Sequence, residues 1–127
     1  MSAASIGHRN EVVLVGRLAT TPTVRSLRSG EKVSTWRLVV DREGVRTRRG
    51  RAVDALVCAT FADRVRAAAD TWEAGDVVEV RGSLRRRFWR SGSDVASRYE
   101  IEVDWARRAA VGQDSHAGSA GSAGSGS

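Results

Sequence analysis

The chain has 127 residues, 41% of them hydrophobic, which suits one domain with a modest core and leaves too little for a second independent one. Its formal charge is +6, yet residues 42–51 alone carry +4 and residues 81–90 alone +5, so the remainder is net acidic. Charge concentrated in this way is expected of a surface that meets a polyanion. Cys58, the single cysteine, excludes an intramolecular disulfide and a cysteine-rich metal site.

Residues 1–9 are small and polar and read as a flexible lead-in, without the apolar run of a signal peptide. Nothing later approaches a membrane span, and with the lone cysteine this predicts a cytoplasmic protein. Residues 11–20 are β-rich around Gly16, with apolar side chains on both faces, and predict a first strand buried on two sides and bent midway. Pro22 ends that run or opens a short edge continuation towards Arg28, because it cannot donate to a ladder. A turn at Ser29-Gly30 leads to a second strand over residues 33–41, with Ser34, Trp36, Leu38 and Val40 on one face and Arg37 on the other.

Residues 42–51 read as a projecting basic loop joining this strand to a third over residues 52–60. The period then changes. Phe61, Val65, Ala68, Ala69 and Trp72 recur at helical spacing, Thr60 with Asp63 makes a capping box, and Gly75 stands where the helix should stop. A fourth strand follows from residue 76, then a turn over residues 91–94. The fifth strand alternates Tyr99, Ile101, Val103 and Trp105, predicted inward, with Arg98, Glu100, Glu102 and Asp104 on a solvated face. Residues 111–127, rich in Gly, Ala and Ser, read as a flexible tail, either a linker or an expression remnant.

Three strands, one helix and two strands, with glycine bends in the first and fourth, predict an all-β fold with one helix. This is the order of the OB-fold, a five-stranded Greek-key barrel spanning residues 10–110. Within the fourth strand, Val78, Val80, Leu84 and Phe88 fall on one side, and Glu79, Arg81, Arg85, Arg87 and Trp89 on the other. Three guanidinium groups and an indole can grip phosphates and stack a base. Arg86 fits the inward set badly, so the strand beyond Leu84 should leave the core and be wet on both faces.

The stretches Asn10-Glu-Val-Val-Leu-Val-Gly-Arg-Leu18, Thr21-Pro-Thr-Val-Arg25 and Val33-Ser-Thr-Trp-Arg-Leu38, with Gly75-Asp-Val-Val-Glu-Val-Arg-Gly-Ser-Leu-Arg-Arg-Arg-Phe-Trp89, keep an order and spacing that resembles the bacterial single-stranded DNA-binding proteins. The resemblance covers residues 10–108 and implies sequence-tolerant binding of single-stranded DNA, in replication, repair or recombination, at the bacterial nucleoid. It also implies a homo-oligomer, commonly a tetramer. Carried over by position, Trp89 and Phe61 match base-stacking aromatics, and Arg85 and Arg87 match phosphate-facing positions. Where that family often has a Trp in the third strand and another just after the second, this chain has Ala55 and Gly44. Its short acidic C-terminal tip has no counterpart here, so partner recruitment by that route is not supported.

Arg81, Arg37, Arg46, Arg48, Arg49, Arg51 and Arg90 complete the candidate contacts, since each neutralised phosphate releases counterions. For Arg46, Arg48 and Arg49 the competing reading is a solvated loop. Phe61 is as well suited to a hydrophobic staple as to a stack. Trp36, Tyr99 and Trp105 read as core, Trp72 as a plug at the base of the barrel, and Cys58 as a small buried hydrophobe. No nucleophile motif, phosphate loop or metal-ligand spacing occurs, which speaks against an enzyme, a metal or another cofactor. The rivals are an OB-fold adaptor of primosomal type, favoured by Ala55, and a single-stranded RNA binder.

Overall fold

The computed structural model describes residues 6–48 and 50–112, with backbone alone for residues 45–47 and 51. The strands are β1 (Val12–Leu18), β2 (Thr23–Ser26), β3 (Lys32–Thr47), β4 (Gly50–Thr60), β5 (Val77–Ser91) and β6 (Asp94–Ala110), with helix α1 (Asp63–Ala69) between β4 and β5. In the sheet β1 lies beside β5, β5 beside β6, β6 beside β4 and β4 beside β3, and a further β1–β3 pairing closes the circle. The result is the expected five-stranded barrel, with β2 added as an outer edge on β3. The lead-in before residue 6, Arg49 and the tail beyond residue 112 lie outside the described residues.

Two glycines let the long strands bend. A Cβ on Gly16 would strike the Val39 carbonyl, where β1 crosses β3, and one on Gly82 would strike the Glu102 carbonyl, where β5 crosses β6. No larger residue permits either approach. Gly75 ends the helical connection at a φ of 92° and donates its N–H to Leu18 O at 2.9 Å, tying the helix exit to β1.

The interior is apolar on the pattern that alternation dictates: Leu18, Trp36, Leu38, Cys58, Val78, Val80, Ile101 and Val103 from the strands, with Val65 and Ala69 from α1. Trp72 is buried and meets Trp36 edge to face, ring centroids 5.2 Å apart, a geometry worth about 0.5–1.5 kcal/mol beyond area burial. Asp76, 3% exposed, ties several segments together. Its carboxylate accepts from Glu73 N at 2.9 Å and Gly112 N at 2.7 Å, and Arg108 approaches it at 3.4 Å.

Several expectations change. The capping box is absent: Ala62 occupies the N-cap, while Thr60 Oγ1 donates to Val103 O at 2.7 Å and accepts from Ala62 N at 3.2 Å. Burial of Thr60 at the end of β4 makes a bond to the neighbouring strand β6 the better use of its hydroxyl. The basic loop is a β-ribbon instead, because β3 runs to Thr47 and β4 restarts at Gly50, with an irregularity between Asp41 and Arg46. Val13 and Val15 in β1 are 60% and 52% exposed, so that strand is covered on one face only.

Tyr99 and Trp105 are exposed, not core. For Trp105 the cause is the register shift at Arg81/Gly82, where Arg81 faces Trp105 but Gly82 faces Val103. The extra residue, Asp104, flips the alternation of β6, so Val103 points in and Trp105 out. Tyr99 keeps the inward parity but lies beyond the barrel, opposite Arg86 on the projecting hairpin. No helix among the described residues is long and apolar enough to cross a membrane.

Candidate nucleic-acid interface

The β5–β6 ladder continues unbroken from Gly82↔Val103 to Ser91↔Asp94. A two-residue loop with Gly92 at a φ of 66° closes it. Paired residues share a face, so Arg85 with Glu100, Arg87 with Arg98 and Trp89 with Ala96 form one side of this ribbon. Trp89 is 46% exposed, and the Arg98 guanidinium lies 5.8 Å from its ring centroid. Sequence reasoning did not find Arg98, although counting back from the two-residue loop places it opposite Arg87.

Phe61, half-buried between β4 and α1, sits under this face, its ring 5.8 Å from the Arg87 guanidinium. The stacking candidates of the barrel and of the hairpin therefore lie on one face, Phe61 against Arg87 and Trp89 against Arg98, the residue opposite Arg87 in the ladder. Ladder register extends the face further. Glu102 of β6 lies beside Ala59 of β4, two residues along β4 is Val57, and Val57 pairs with Arg37 of β3. Arg37 is exposed at the far side of a surface that runs across β3, β4 and β6 to β5, and Ala55 lies on it.

Arg85, Arg87 and Arg98 of this face are already paired. Arg87 Nε donates to Glu100 at 2.7 Å and its Nη2 to Glu102 at 3.0 Å; Arg85 Nε donates to Glu102 at 3.1 Å, and Arg98 approaches Glu100 at 3.5 Å. Hydrogen bonding to Glu100 raises the Arg87 pKa above its ordinary value, against the opposing effect of burial. Glu100 is 6% exposed rather than solvated, consistent with the rule that a buried charge is paired. Three guanidinium groups against two carboxylates leave the row with a small positive excess and fixed directions.

The remaining candidates are dispersed. Arg81 stacks on Trp105 at 4.5 Å and pairs with Glu79 at 3.1 Å, on the outer surface of the barrel beside Val13. Arg90 has the parity of Arg86 and Phe88 and falls on the other face of the hairpin. Arg48 is exposed in the turn of the β3–β4 ribbon; Arg46 and Arg51 face each other in its backbone ladder, and Arg49 lies outside the described residues. At the foot of that ribbon Arg42 clamps Asp54 with Nε at 3.1 Å and Nη2 at 2.8 Å, and the hydrogen bond lowers the Asp54 pKa.

Comparison with known proteins follows the same line. Residues 9–109 match the model of the single-strand binding protein family. A single-stranded DNA-binding protein of Bacillus cereus is 31% identical over 94 residues, covering 74% of this chain and 55% of that protein. Single-stranded DNA-binding protein A of Bacillus subtilis is 32% identical over 82 residues, covering 65% and 48%. The chain thus spans about half the length of the curated relatives it matches. A solved structure, a Plasmodium falciparum SSB complex with ssDNA, superposes with a TM-score of 0.68 over 82% of this chain and 97% of that one; at 23% identity it speaks for the fold. With barrel, hairpin and family match in agreement, the chain belongs to the single-strand binding protein family.

Proposed function

We propose that this chain binds single-stranded DNA without sequence preference, stacking bases on Trp89 and Phe61 and holding phosphates with Arg85, Arg87, Arg98 and Arg37. The observation that carries the reading is the shared face: Phe61 lies against Arg87 and Trp89 against Arg98, on a surface continuous from the hairpin to β3. Every base has a π-face, so stacking accepts any sequence, at about 1–3 kcal/mol per base. The role is that of a binder rather than a catalyst, acting in replication, repair or recombination at the nucleoid. Arg46, Arg48, Arg49 and Arg51 extend the track along the β3–β4 ribbon, and Arg81 and Arg90 add long-range attraction.

Self-association belongs to this reading. Val13, Val15 and Trp105 are exposed on the outer surface of β1, β5 and β6, an apolar area that a second copy would cover in the homo-tetramer implied by the family. Light scattering measures that state directly. DNA binding is tested by titrating Trp fluorescence with oligo-dT at two salt concentrations. Strong quenching that weakens steeply with salt supports the proposal, and absence of quenching at low salt ends it. Competition with oligo-U separates DNA from RNA.

A further inference from the structure

The hairpin has a second face, which the contacts above leave unused. Leu84, Arg86, Phe88 and Arg90 of β5 share it with Tyr99, Ser97 and Val95 of β6. Phe88 is 63% exposed and Tyr99 59%, both more open than Trp89 at 46%. Between the rings lies Arg86, its guanidinium 5.2 Å from the Phe88 centroid and 5.4 Å from the Tyr99 centroid. Ser97 Oγ accepts from Arg86 Nη2 at 3.1 Å and from Nε at 3.3 Å, fixing the planar group in place.

The two faces differ in charge. On the first, Glu100 and Glu102 occupy the arginines. On the second, Arg86 meets a hydroxyl and two rings, and no acidic residue has the parity to join it or Arg90. Its cationic charge is uncompensated on that face, and its aromatic area is open to solvent. This combination suits a polyanion with planar groups better than an apolar peptide, which would leave Arg86 and Arg90 desolvated without a counter-charge.

We infer that the Phe88–Arg86–Tyr99 face is a second contact for single-stranded DNA: a strand leaving Trp89 passes over the edge of the hairpin and stacks bases on Phe88 and Tyr99, with phosphates at Arg86 and Arg90. The inference rests on the binding function proposed above and deepens it, because each subunit then covers more nucleotides than the first face alone could hold. Wrapping both faces also makes the length of DNA bound depend on the projecting ribbon rather than on the barrel.

The test compares the wild-type chain with the Phe88→Ala/Tyr99→Ala double variant, using oligo-dT of about 6 and about 16 nucleotides, lengths spanning the usual site size of one OB-fold. The double variant should match wild type on the short oligonucleotide, bind the long one about tenfold more weakly, and saturate at fewer nucleotides per subunit. Independently, cross-linking with an iodouracil-substituted oligonucleotide should recover the peptide holding Tyr99. Equal affinity and site size at both lengths, with no such cross-link, overturns the inference while leaving the first face intact. An altered oligomeric state with unchanged DNA binding overturns it in favour of a protein partner. Failure of wild type to bind either length defeats the binding function itself, a result distinguishable from the others.

Discussion

Trp89 projects from a paired strand with Arg98 beside it, so its ring is held at a fixed pitch without being buried. Truncation should remove stacking without touching the core: Trp89→Ala is expected to lose about 1–3 kcal/mol of affinity for oligo-dT while its melting temperature stays that of wild type. Unchanged affinity would remove Trp89 from the site. Cys58 is the contrasting case. It is fully buried in β4, and burial, reinforced by the charge of Glu100, pushes its thiol up to about 12. Since an unfolded cysteine titrates near about pH 8.5, the folded state is favoured while the thiol stays protonated. This contribution is complete below about pH 8.5 and is lost as pH rises towards the folded value. Iodoacetamide at pH 8 should therefore label Cys58 only as fast as the chain opens. Thermal melts should fall more steeply between pH 9 and about 11 for wild type than for Cys58→Ala.

At the scale of the element, the β5–β6 hairpin carries carboxylates on the same face as its arginines, and in the proposed site these compete with phosphate. Glu102 accepts from both Arg85 and Arg87. Glu102→Gln removes this competition, so affinity for oligo-dT should rise and the salt dependence should steepen by at most about 0.7 in the log–log slope, the share of one neutralised phosphate. A variant that binds no better would mean these carboxylates do not oppose DNA. The hairpin also marks how far sequence could be read. Alternation in β5 survives into the structure because no residue is inserted there, and Val78, Val80, Arg85, Arg87 and Trp89 fall as period two requires. Alternation in β6 does not survive, because Asp104 is an extra residue opposite the Gly82 bend, and a bulge leaves no mark in composition. Trp105 departs from the inward expectation for that reason. Tyr99 departs from it because its inward parity continues past the point where there is an inside. Phe61 could not be decided from sequence at all, since its place depends on Arg87 reaching it from the other end of the chain.

Across the whole molecule, order and closure of the barrel were legible, because glycine bends, strand count and the single helix are local signals that agree with one another. The candidate residues of the hairpin face could be named from alternation in β5, but not their internal pairing, which needs register between β5 and β6. Ala55 now has a place: it lies opposite Val39, two residues along β4 from the Arg37↔Val57 pair, so the face offers no ring at that point of β4. Strand closure is uneven as well. Among the described residues β5 and β6 are paired over fifteen positions, whereas the ladder of β1 with β3 comprises Arg17↔Val39 and Leu18↔Leu38, and that of β4 with β6 Cys58↔Ile101 and Ala59↔Glu102. Those two short joins are the seams of the cylinder. Deuterium should enter the amides there well before those of Val78 and Val80, and uniform exchange across all five barrel strands would contradict this. A barrel stitched so lightly at two places should open there first, as two leaves, while the fifteen-pair ribbon of β5 and β6 keeps its register.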